Sequence, residues 1–354
     1  MYGSRRRAAA HRRLAGWVTQ VEHVVGERIS DQLRGRPGWQ ITVIPYVGQG
    51  TATRGHVRAR VVLRRRDPTT LAGRVGVLVT SLARYLSIDV TDEPVRIEVA
   101  GRTVHAVSGR EGYLEAGLDL PDLAPGWHDV HFAVAGSTAL GRLLVVDPEA
   151  RVGLLSDIDD TVIHTGLTRL IDALRTTLLV PEHERQPIPG AAQLYRGLVA
   201  GDDGRAPTFY VSTGAWNLHE SLEQFLDHHG FPAGPLIMTD WGPGGQWLFR
   251  EGSVTFKSRT VLALMEQHPH LGWVLVGDSG QHDTEAYAAV ARQQPDRIRA
   301  IYIREVLPAS ITRATRVRKI AAELAGLGVP MRLIRDSADA CEHARSVGLV
   351  AEQA

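Results

Sequence analysis

A short acidic run has the residue types that chemistry on phosphate esters requires. The run Asp157-Ile158-Asp159-Asp160-Thr161 follows the buried-type segment Val152 to Ser156. Carboxylates at alternate positions can supply a nucleophile, a proton donor and oxygen ligands for a hard metal ion. A calcium loop is the closest structural alternative. That pattern needs Asp or Asn at position 161 and glycine at position 162, where this sequence has Thr161 and Val162.

Further polar residues follow later segments of the same buried type. They are a hydroxyl, an ammonium and a second acidic pair, and we expect all of them at one edge of a parallel sheet. Lys257 is predicted to start the helix that precedes the fourth strand of that sheet. The candidates after the first motif are Ser212, Thr213, Gly214, Lys257, Asp278 and Asp283.

This mixture of groups predicts a phosphatase. Asp157 would attack phosphorus and form an aspartyl phosphate, and Asp159 would protonate the leaving alcohol and then activate water. Asp157 and Asp278 are suited to bind a divalent cation, and an all-oxygen shell indicates Mg²⁺ rather than zinc. Lys257 would neutralise charge in the transition state, while Ser212 and backbone N–H groups would hold the phosphate oxygens.

The elements that must position these residues alternate between strands and helices from residue 149 onward. This pattern predicts a parallel sheet with helices on both faces. The expected strands are Val152 to Ser156, Thr208 to Ser212, Leu236 to Thr239, Trp273 to Gly277 and Arg299 to Ile303. The expected helices are Gly190 to Ala200, Asn217 to His229, Ser258 to Gln267, Asp283 to Gln293 and Ile311 to Leu327.

Residues 38–148 have a different pattern, with short β-like runs separated by turns, which predicts a small β-sandwich or barrel. A helix over Thr80 to Leu86 is compatible with this organisation. The expected strands are Ile41 to Val47, His56 to Leu63, Val75 to Thr80, Val95 to Val99, Tyr113 to Leu118 and His128 to Val134. We therefore predict three parts: an N-terminal helix in 1–37, a β-rich domain in 38–148 and a catalytic domain in 149–354.

The N-terminal part contains an amphipathic helix over residues 8–35, preceded by arginines. Its apolar face, which includes Trp17, can lie on an anionic membrane or pack on the β-rich domain. Packing is the interpretation that we favour, since most such helices face a core.

The composition is that of a soluble globular protein, with 44% hydrophobic and 22% charged residues. The net charge of +1, from 40 basic and 39 acidic residues, gives no reason to expect a nucleic-acid partner. The single cysteine, Cys341, excludes an internal disulfide and fits a reducing cytosol. We find neither a signal peptide nor a membrane-spanning run, so a cytoplasmic location is expected.

At these residues the sequence resembles the haloacid dehalogenase (HAD) superfamily of aspartate-nucleophile phosphotransferases. The resemblance implies a HAD-like Rossmannoid sheet and Mg²⁺ as cofactor. It also implies that the backbone carbonyl of Asp159 completes the metal site. The four matching motifs contain Asp157, Asp159 and Thr161; Ser212; Lys257; and Gly277, Asp278 and Asp283.

A narrower resemblance, to the actin patch-associated phosphatidate phosphatase family, covers most of the chain. It implies hydrolysis of phosphatidate to diacylglycerol. At its second motif the chain reads Ser212-Thr213-Gly214-Ala215-Trp216, where a Ser-Pro pair is expected before the tryptophan. The segments that carry the resemblance are Asp157 to Ile163, Trp216 to Leu218, Thr239 to Gly242, Phe256-Lys257, Gly277 to Asp283, Ala300 to Arg304 and Pro45-Tyr46-x-Gly48-x-Gly50.

Access to the site is expected to be open. Too few residues separate the first motif from Ser212 for a large lid domain, and 230–256 leave room only for a small flap. An open site suits a large or interfacial substrate, so we expect a phospholipid and peripheral contact with a membrane.

Several aromatic and basic residues near the motifs have two interpretations. Trp216 and Trp241 either contact acyl chains or an aromatic substrate, or pack in the core or a loop. Arg304 anchors a phosphate or pairs with an acid. For His164, His219 and His282 we expect surface or supporting roles rather than metal binding.

Two other functions compete with a phosphatidate phosphatase. The first keeps the chemistry but acts on a soluble phosphomonoester or a phosphoprotein. The second is a non-catalytic module that binds lipid or protein and retains a relic site. The intact set of motif residues weighs against the relic, because a relic would tolerate their loss.

Overall fold

The structure is a computed structural model, which describes residues 33, 36–65, 88–163, 186–239, 252–307 and 309–350. Two sheets organise these residues, an eight-stranded sheet in the N-terminal half and a six-stranded sheet in the C-terminal half. Several predicted segments lie outside the described residues: the N-terminal helix apart from Leu33, the strand Val75 to Thr80 and the helix Thr80 to Leu86.

The first sheet is mixed, with strand order β3-β2-β1-β8-β7-β4-β5 and with β6 beside β2. Strands β1 and β8 run parallel, and the other described pairs are antiparallel. Its strands are β1 (Trp39–Gly50), β2 (Arg54–Arg65), β3 (Ile88–Asp89), β4 (Pro94–Val99), β5 (Arg102–Val107), β6 (Tyr113–Asp119), β7 (Gly126–Val134) and β8 (Ser137–Val145).

Alternating side chains explain why this segment forms a sheet with one buried face. Along β4 and β6, buried residues alternate with more exposed ones, the period expected of a half-buried strand. Valine, leucine and isoleucine side chains from several strands meet in one core that includes Val61, Ile97 and Val130. The β-rich prediction is therefore confirmed, and β3, β5 and β8 add to the strands named from the sequence. The sandwich-like form stays a prediction.

The second sheet is entirely parallel, with strand order β11-β10-β9-β12-β13-β14. Its first strand in the chain is therefore central, and the chain winds outward from it in both directions. Its strands are β9 (Val152–Asp157), β10 (Thr208–Ala215), β11 (Leu236–Thr239), β12 (Gly272–Asp278), β13 (Ile298–Arg304) and β14 (Met331–Ile334).

Helices cover both faces of the parallel sheet, which is why β9 and β12 are buried almost from end to end. One face packs on α1, α2 and α6, and the other packs on α3, α4 and α5. The helices are α1 (Ala191–Ala200), α2 (His219–His228), α3 (Ser253–Gln267), α4 (Asp283–Gln293), α5 (Ile311–Ala325) and α6 (Ser337–Ser346).

The predicted strands and helices of this half are confirmed with shifted ends. One shift concerns the site: α3 begins at Ser253, five positions earlier than predicted. Lys257 therefore lies in the second turn of α3 and does not start the helix. The strand β14 and the helix α6 were not predicted.

Contacts from strands β1 and β2 to helices and a loop of the C-terminal half join the two halves of the molecule. Tyr46 of β1 stacks on Trp216, with ring centroids 4.5 Å apart. Gln49 donates to Gln267 over 2.8 Å, and Arg64 forms an ion pair with Glu220 at 3.2 Å. Among the described helices, none is long and apolar enough to cross a membrane.

Candidate active site

The carboxyl edge of the parallel sheet brings the predicted residues together. The central strand β9 ends at Asp157 and lies between β10, which carries Ser212, and β12, which ends at Asp278. The chain reverses its winding direction between β9 and β12, and α/β sheets bind ligands at such a switch point. The side chains of all three residues are buried.

Lys257 connects the first acidic motif to the last one. Its ammonium donates to Asp157 Oδ1 over 2.6 Å and also donates to Asp283 Oδ1. All three side chains are fully buried, with 0% exposure. Burying three charges in this way requires mutual pairing, because an isolated ion in the interior is strongly disfavoured.

Asp278 is held by the turn that follows β12. Its Oδ1 accepts backbone N–H groups from Gly280 at 2.5 Å and from Gln281 at 2.8 Å. The backbone N–H of Asp278 donates to Asp283 Oδ2 over 3.0 Å. Gly277 makes this packing possible, because a Cβ at position 277 would lie 2.6 Å from Asp283 Oδ2.

Asp159 points towards the end of β10. Its Oδ2 accepts the hydroxyl of Ser212 over 3.2 Å, and Ser212 Oγ in turn accepts the N–H of Gly214 over 2.9 Å. The loop that carries Asp159 turns sharply, because Asp160 has a φ of 53°, in the left-handed region. Thr161 and Thr213 are also buried at this edge.

The acidic groups raise one another's pKa. Burial raises the pKa of Asp157 and of Asp278 well above the usual range, and the neighbouring Asp283 raises both further. Burial also raises the pKa of Asp159, to about 6, against the lowering effect of Lys257 and of the Ser212 hydroxyl. Burial alone would lower the pKa of Lys257, but the carboxylates of Asp157 and Asp283 raise it above its ordinary value.

The donor set fits a hard divalent cation. Oxygens of Asp157, Asp278 and Asp283 lie within 4.8 Å of one another. Among the described residues, Asp157 Oδ2 and Asp278 Oδ2 are buried without a hydrogen-bond partner. Three carboxylates face one ammonium, so a divalent ion would balance the charge, and oxygen donors are those that Mg²⁺ prefers. The side chain of Asp159 is not in this group and contacts Ser212 instead.

Two supporting residues were not predicted. Ser156 donates from Oγ to the carbonyl of Asp157 over 2.6 Å and lies 2.5 Å from the hydroxyl of Tyr195. Its position inside an otherwise apolar strand is the sequence signal that could have identified Ser156. Tyr195 lies on the apolar face of α1, where a tyrosine reads as an ordinary core residue.

Arg304 pairs with the first motif through its backbone. At the end of β13 its guanidinium donates to the carbonyl of Asp160 over 2.7 Å, and it is 9% exposed. Burial lowers the pKa of Arg304, and the negative charges of Asp160 and Asp278 oppose that effect. This contact is to a backbone carbonyl and not to a carboxylate, so both predicted roles of Arg304, anchoring a phosphate and pairing with an acid, stay predictions.

The aromatic candidate Trp216 lies in the core and not at an open surface. Trp216 packs between Tyr46, Tyr113 and His219. His219 is 1% exposed, so it is a packing residue. His282 is exposed at the start of α4. His164 and Trp241 lie outside the part of the chain that the structure describes.

The fold and the site define the class of protein: an α/β chain with an acidic site at the switch point of a doubly wound parallel sheet. Residues 152–305 match the model of the family described as phosphatidate phosphatase APP1, catalytic domain. These residues are therefore similar to that catalytic-domain family, and the narrower resemblance drawn from the motifs is confirmed over this range.

Two known proteins are also similar to part of the chain. Phosphatidate phosphatase APP1 of Saccharomyces cerevisiae is 33% identical over 153 residues, which are 43% of this chain and 26% of the yeast protein. An uncharacterized protein of Schizosaccharomyces pombe is 31% identical over 160 residues, 44% of this chain and 25% of that protein. The chain thus matches about a quarter of the length of these relatives.

Solved structures add no argument about the fold. A carbohydrate acetylesterase from Xanthomonas citri aligns with 87% of this chain and 75% of its own, at 11% identity and a TM-score of 0.33.

Proposed function

We propose that this chain is a phosphatase that hydrolyses phosphatidate to diacylglycerol and phosphate through an aspartyl phosphate at Asp157. The observation that carries the proposal is the buried cluster in which Lys257 joins Asp157 to Asp283. The cluster lies within a segment that matches a phosphatidate phosphatase catalytic-domain family. We also assign the parallel sheet to the HAD-like class.

The first chemical step transfers the phosphoryl group to the protein. An oxygen of Asp157 attacks phosphorus, and the bond from phosphorus to the diacylglycerol oxygen breaks. Asp159 gives its proton to that oxygen. A pKa of about 6 suits Asp159 for this step, because it is then a usable acid and a usable base near neutral pH.

The second step hydrolyses the aspartyl phosphate and regenerates the carboxylate of Asp157. Asp159, now a carboxylate, takes a proton from water, and the water oxygen attacks the phosphorus of the aspartyl phosphate. The bond between Asp157 and phosphorus breaks, and inorganic phosphate leaves. Ser212 and the backbone N–H groups of Thr213 and Gly214, together with Thr161, are assigned to bind the phosphate oxygens.

We assign Mg²⁺ as the cofactor. Asp157, Asp278 and Asp283 would hold it, together with the backbone carbonyl of Asp159. When bound, the ion supplies positive charge that offsets the repulsion between the carboxylate and the phosphate dianion. Lys257 supplies the remaining positive charge and opposes the rise in the pKa of Asp157 that burial causes.

The other parts of the chain are assigned by the same reasoning. Residues 38–148 form an accessory domain that docks on the catalytic domain, 149–354, through Tyr46 and Gln49. A phospholipid substrate implies that the chain meets a membrane surface.

The test is phosphate release from phosphatidate in detergent micelles, with and without Mg²⁺, beside a panel of soluble phosphomonoesters. We expect release that depends on Mg²⁺ and that is lost in Asp157→Asn. Asp160→Asn is the matched control: it changes a neighbouring carboxylate that lies outside the metal cluster, and asparagine tolerates a positive φ. We expect Asp160→Asn to lower the rate of phosphate release by less than about tenfold.

Two results would change the proposal. Release from a soluble ester alone would keep the aspartate mechanism and remove the lipid. No release from any substrate would favour a binding module with a relic site.

A further inference from the structure

An exposed apolar segment lies beside the acidic site. Leu307 is 69% exposed and Ile311 is 88% exposed. Among the large apolar side chains that are exposed in the described residues, these two are the most exposed. Two such side chains within five positions form a local apolar surface rather than the scattered single residues that are normal on proteins. We call Leu307, Ala309 and Ile311 the apolar lip.

The lip is attached directly to the loop that holds Asp278. Val306, the residue before the lip, donates its N–H to Ser279 Oγ over 3.1 Å. Its side chain also lies against Gly280, where a Cβ would be 3.3 Å from Val306 Cγ2. The lip therefore stands at the carboxyl edge of the sheet, on the side where the substrate must approach.

Positive charge follows the lip. The first nine residues of α5, 311–319, contain four cations and no acidic residue. Arg313 donates to the carbonyl of Val306 at 3.0 Å, and Arg316 pairs with Glu285 at 3.1 Å. Arg318 and Lys319 are exposed on the same helix. Glu305, partly buried before the lip, is the acidic residue of this segment.

We propose that the apolar lip and the basic first half of α5 form a docking surface for an anionic lipid bilayer. Leu307 and Ile311 enter the interfacial layer, and the cations of α5 contact the headgroups. Aliphatic side chains flanked by lysine and arginine are the combination that binds such surfaces. This deepens the proposed function, on which it rests, because it places the membrane at the mouth of the Asp157 site.

The test compares binding to vesicles of phosphatidylcholine alone with binding to vesicles that also contain phosphatidylserine. Phosphatidylserine supplies negative charge without being a phosphomonoester, so binding does not require turnover. The lip variant is Leu307→Ser/Ile311→Ser. The control is Leu327→Ser/Val347→Ser, which changes two aliphatic residues, 46% and 47% exposed, that follow α5 and α6 at the opposite edge.

We expect the wild type to bind the anionic vesicles. The lip variant should bind them at least about tenfold more weakly, because two aliphatic side chains no longer leave water. The control should bind within about twofold of wild type. On phosphatidate, the lip variant should lose activity towards vesicles and keep its activity towards a short-chain, monomeric phosphatidate.

Three results would overturn the docking surface: no binding by the wild type, equal binding by the lip variant, or equal losses in the lip variant and the control. A lip variant that alters self-association in the absence of lipid would also overturn it, in favour of a contact between copies. If the wild type binds vesicles through the lip but hydrolyses no phosphatidate, the proposed function fails and the docking surface stands.

Discussion

At the scale of single residues, Lys257 sets the charge balance of the site. It is buried with Asp157 and Asp283, and its pKa is raised by both. The same ammonium therefore has a structural role, since it compensates buried carboxylates. In the proposed mechanism it also has a chemical role, since it opposes the rise in the pKa of Asp157.

Replacing this lysine should lower stability as well as activity. In Lys257→Met, Asp157 and Asp283 lose their cation, and the unfolding free energy should fall by about 3–5 kcal/mol. The rate of phosphate release should fall about 100-fold. Denaturant unfolding and a phosphatidate assay measure the two effects.

Lys319→Met is the matched control, because Lys319 is exposed on α5. It should change the unfolding free energy by less than about 0.5 kcal/mol. A Lys257→Met protein with native stability would mean that the buried ion pairs are not present in solution.

At the scale of secondary-structure elements, a contact between distant parts of the chain holds a loop of the site in its shape. Arg304, on β13, reaches across to the loop after β9 and binds the carbonyl of Asp160. That loop has an unfavourable backbone conformation at Asp160, with a φ of 53°. This strained conformation persists because the strands fix both ends of the contact between Arg304 and Asp160.

Removal of this contact should therefore affect catalysis more than substrate binding. Arg304→Gln should lower kcat about tenfold with a smaller change in KM, because Asp159 is no longer held in place. Arg299→Gln, an exposed arginine at the other end of β13, should leave both unchanged.

Adding Asp160→Gly to Arg304→Gln should restore part of kcat, since glycine adopts a positive φ without strain. Absence of any recovery would assign Arg304 another role, such as direct contact with substrate.

Contact between the two sheets positions the end of β10. Tyr46 of β1 stacks on Trp216, which lies four residues after Ser212. Tyr46→Ala should lower kcat about tenfold and raise amide hydrogen exchange in 212–216, because the loop loses its aromatic support. Tyr46→Phe keeps the ring and should retain most activity. Equal activity of the Ala and Phe variants would show that the accessory domain does not position the site.

At the scale of the whole molecule, the parallel sheet of the C-terminal half followed from the sequence better than the details of the site. Alternating strands and helices identified a parallel sheet, and the sites at strand ends followed from it. The pairing of Lys257 with Asp283 could not be predicted, because it depends on how α3 and α4 pack. The same holds for Tyr46 and Trp216, which are far apart in the chain and meet through packing of the two sheets.

Global stability should depend on pH through His268, which is buried at the end of α3 and lies near Phe209. Burial lowers its pKa from 6.5 to about 4. Between these values the unfolded chain binds the proton more tightly, so this contribution is complete above pH 6.5 and is lost as the pH falls towards 4.

His268→Leu should remove that dependence. Between pH 7 and pH 4 the wild type should lose about 3 kcal/mol more unfolding free energy than the variant. His105→Leu, an exposed histidine on β5, should follow the wild type. Identical pH profiles for wild type and His268→Leu would show that His268 is not held neutral in the folded protein.

The most direct test of the account is to trap the phosphorylated aspartate. The enzyme is mixed with phosphatidate and Mg²⁺, stopped with acid during turnover and treated with borohydride, which reduces an aspartyl phosphate to homoserine. Peptide mass spectrometry should then find homoserine at position 157 when substrate is present and aspartate there when it is omitted. Phosphate release at full rate without modification of Asp157, or with homoserine at another aspartate, would contradict the assignment of Asp157 as the nucleophile.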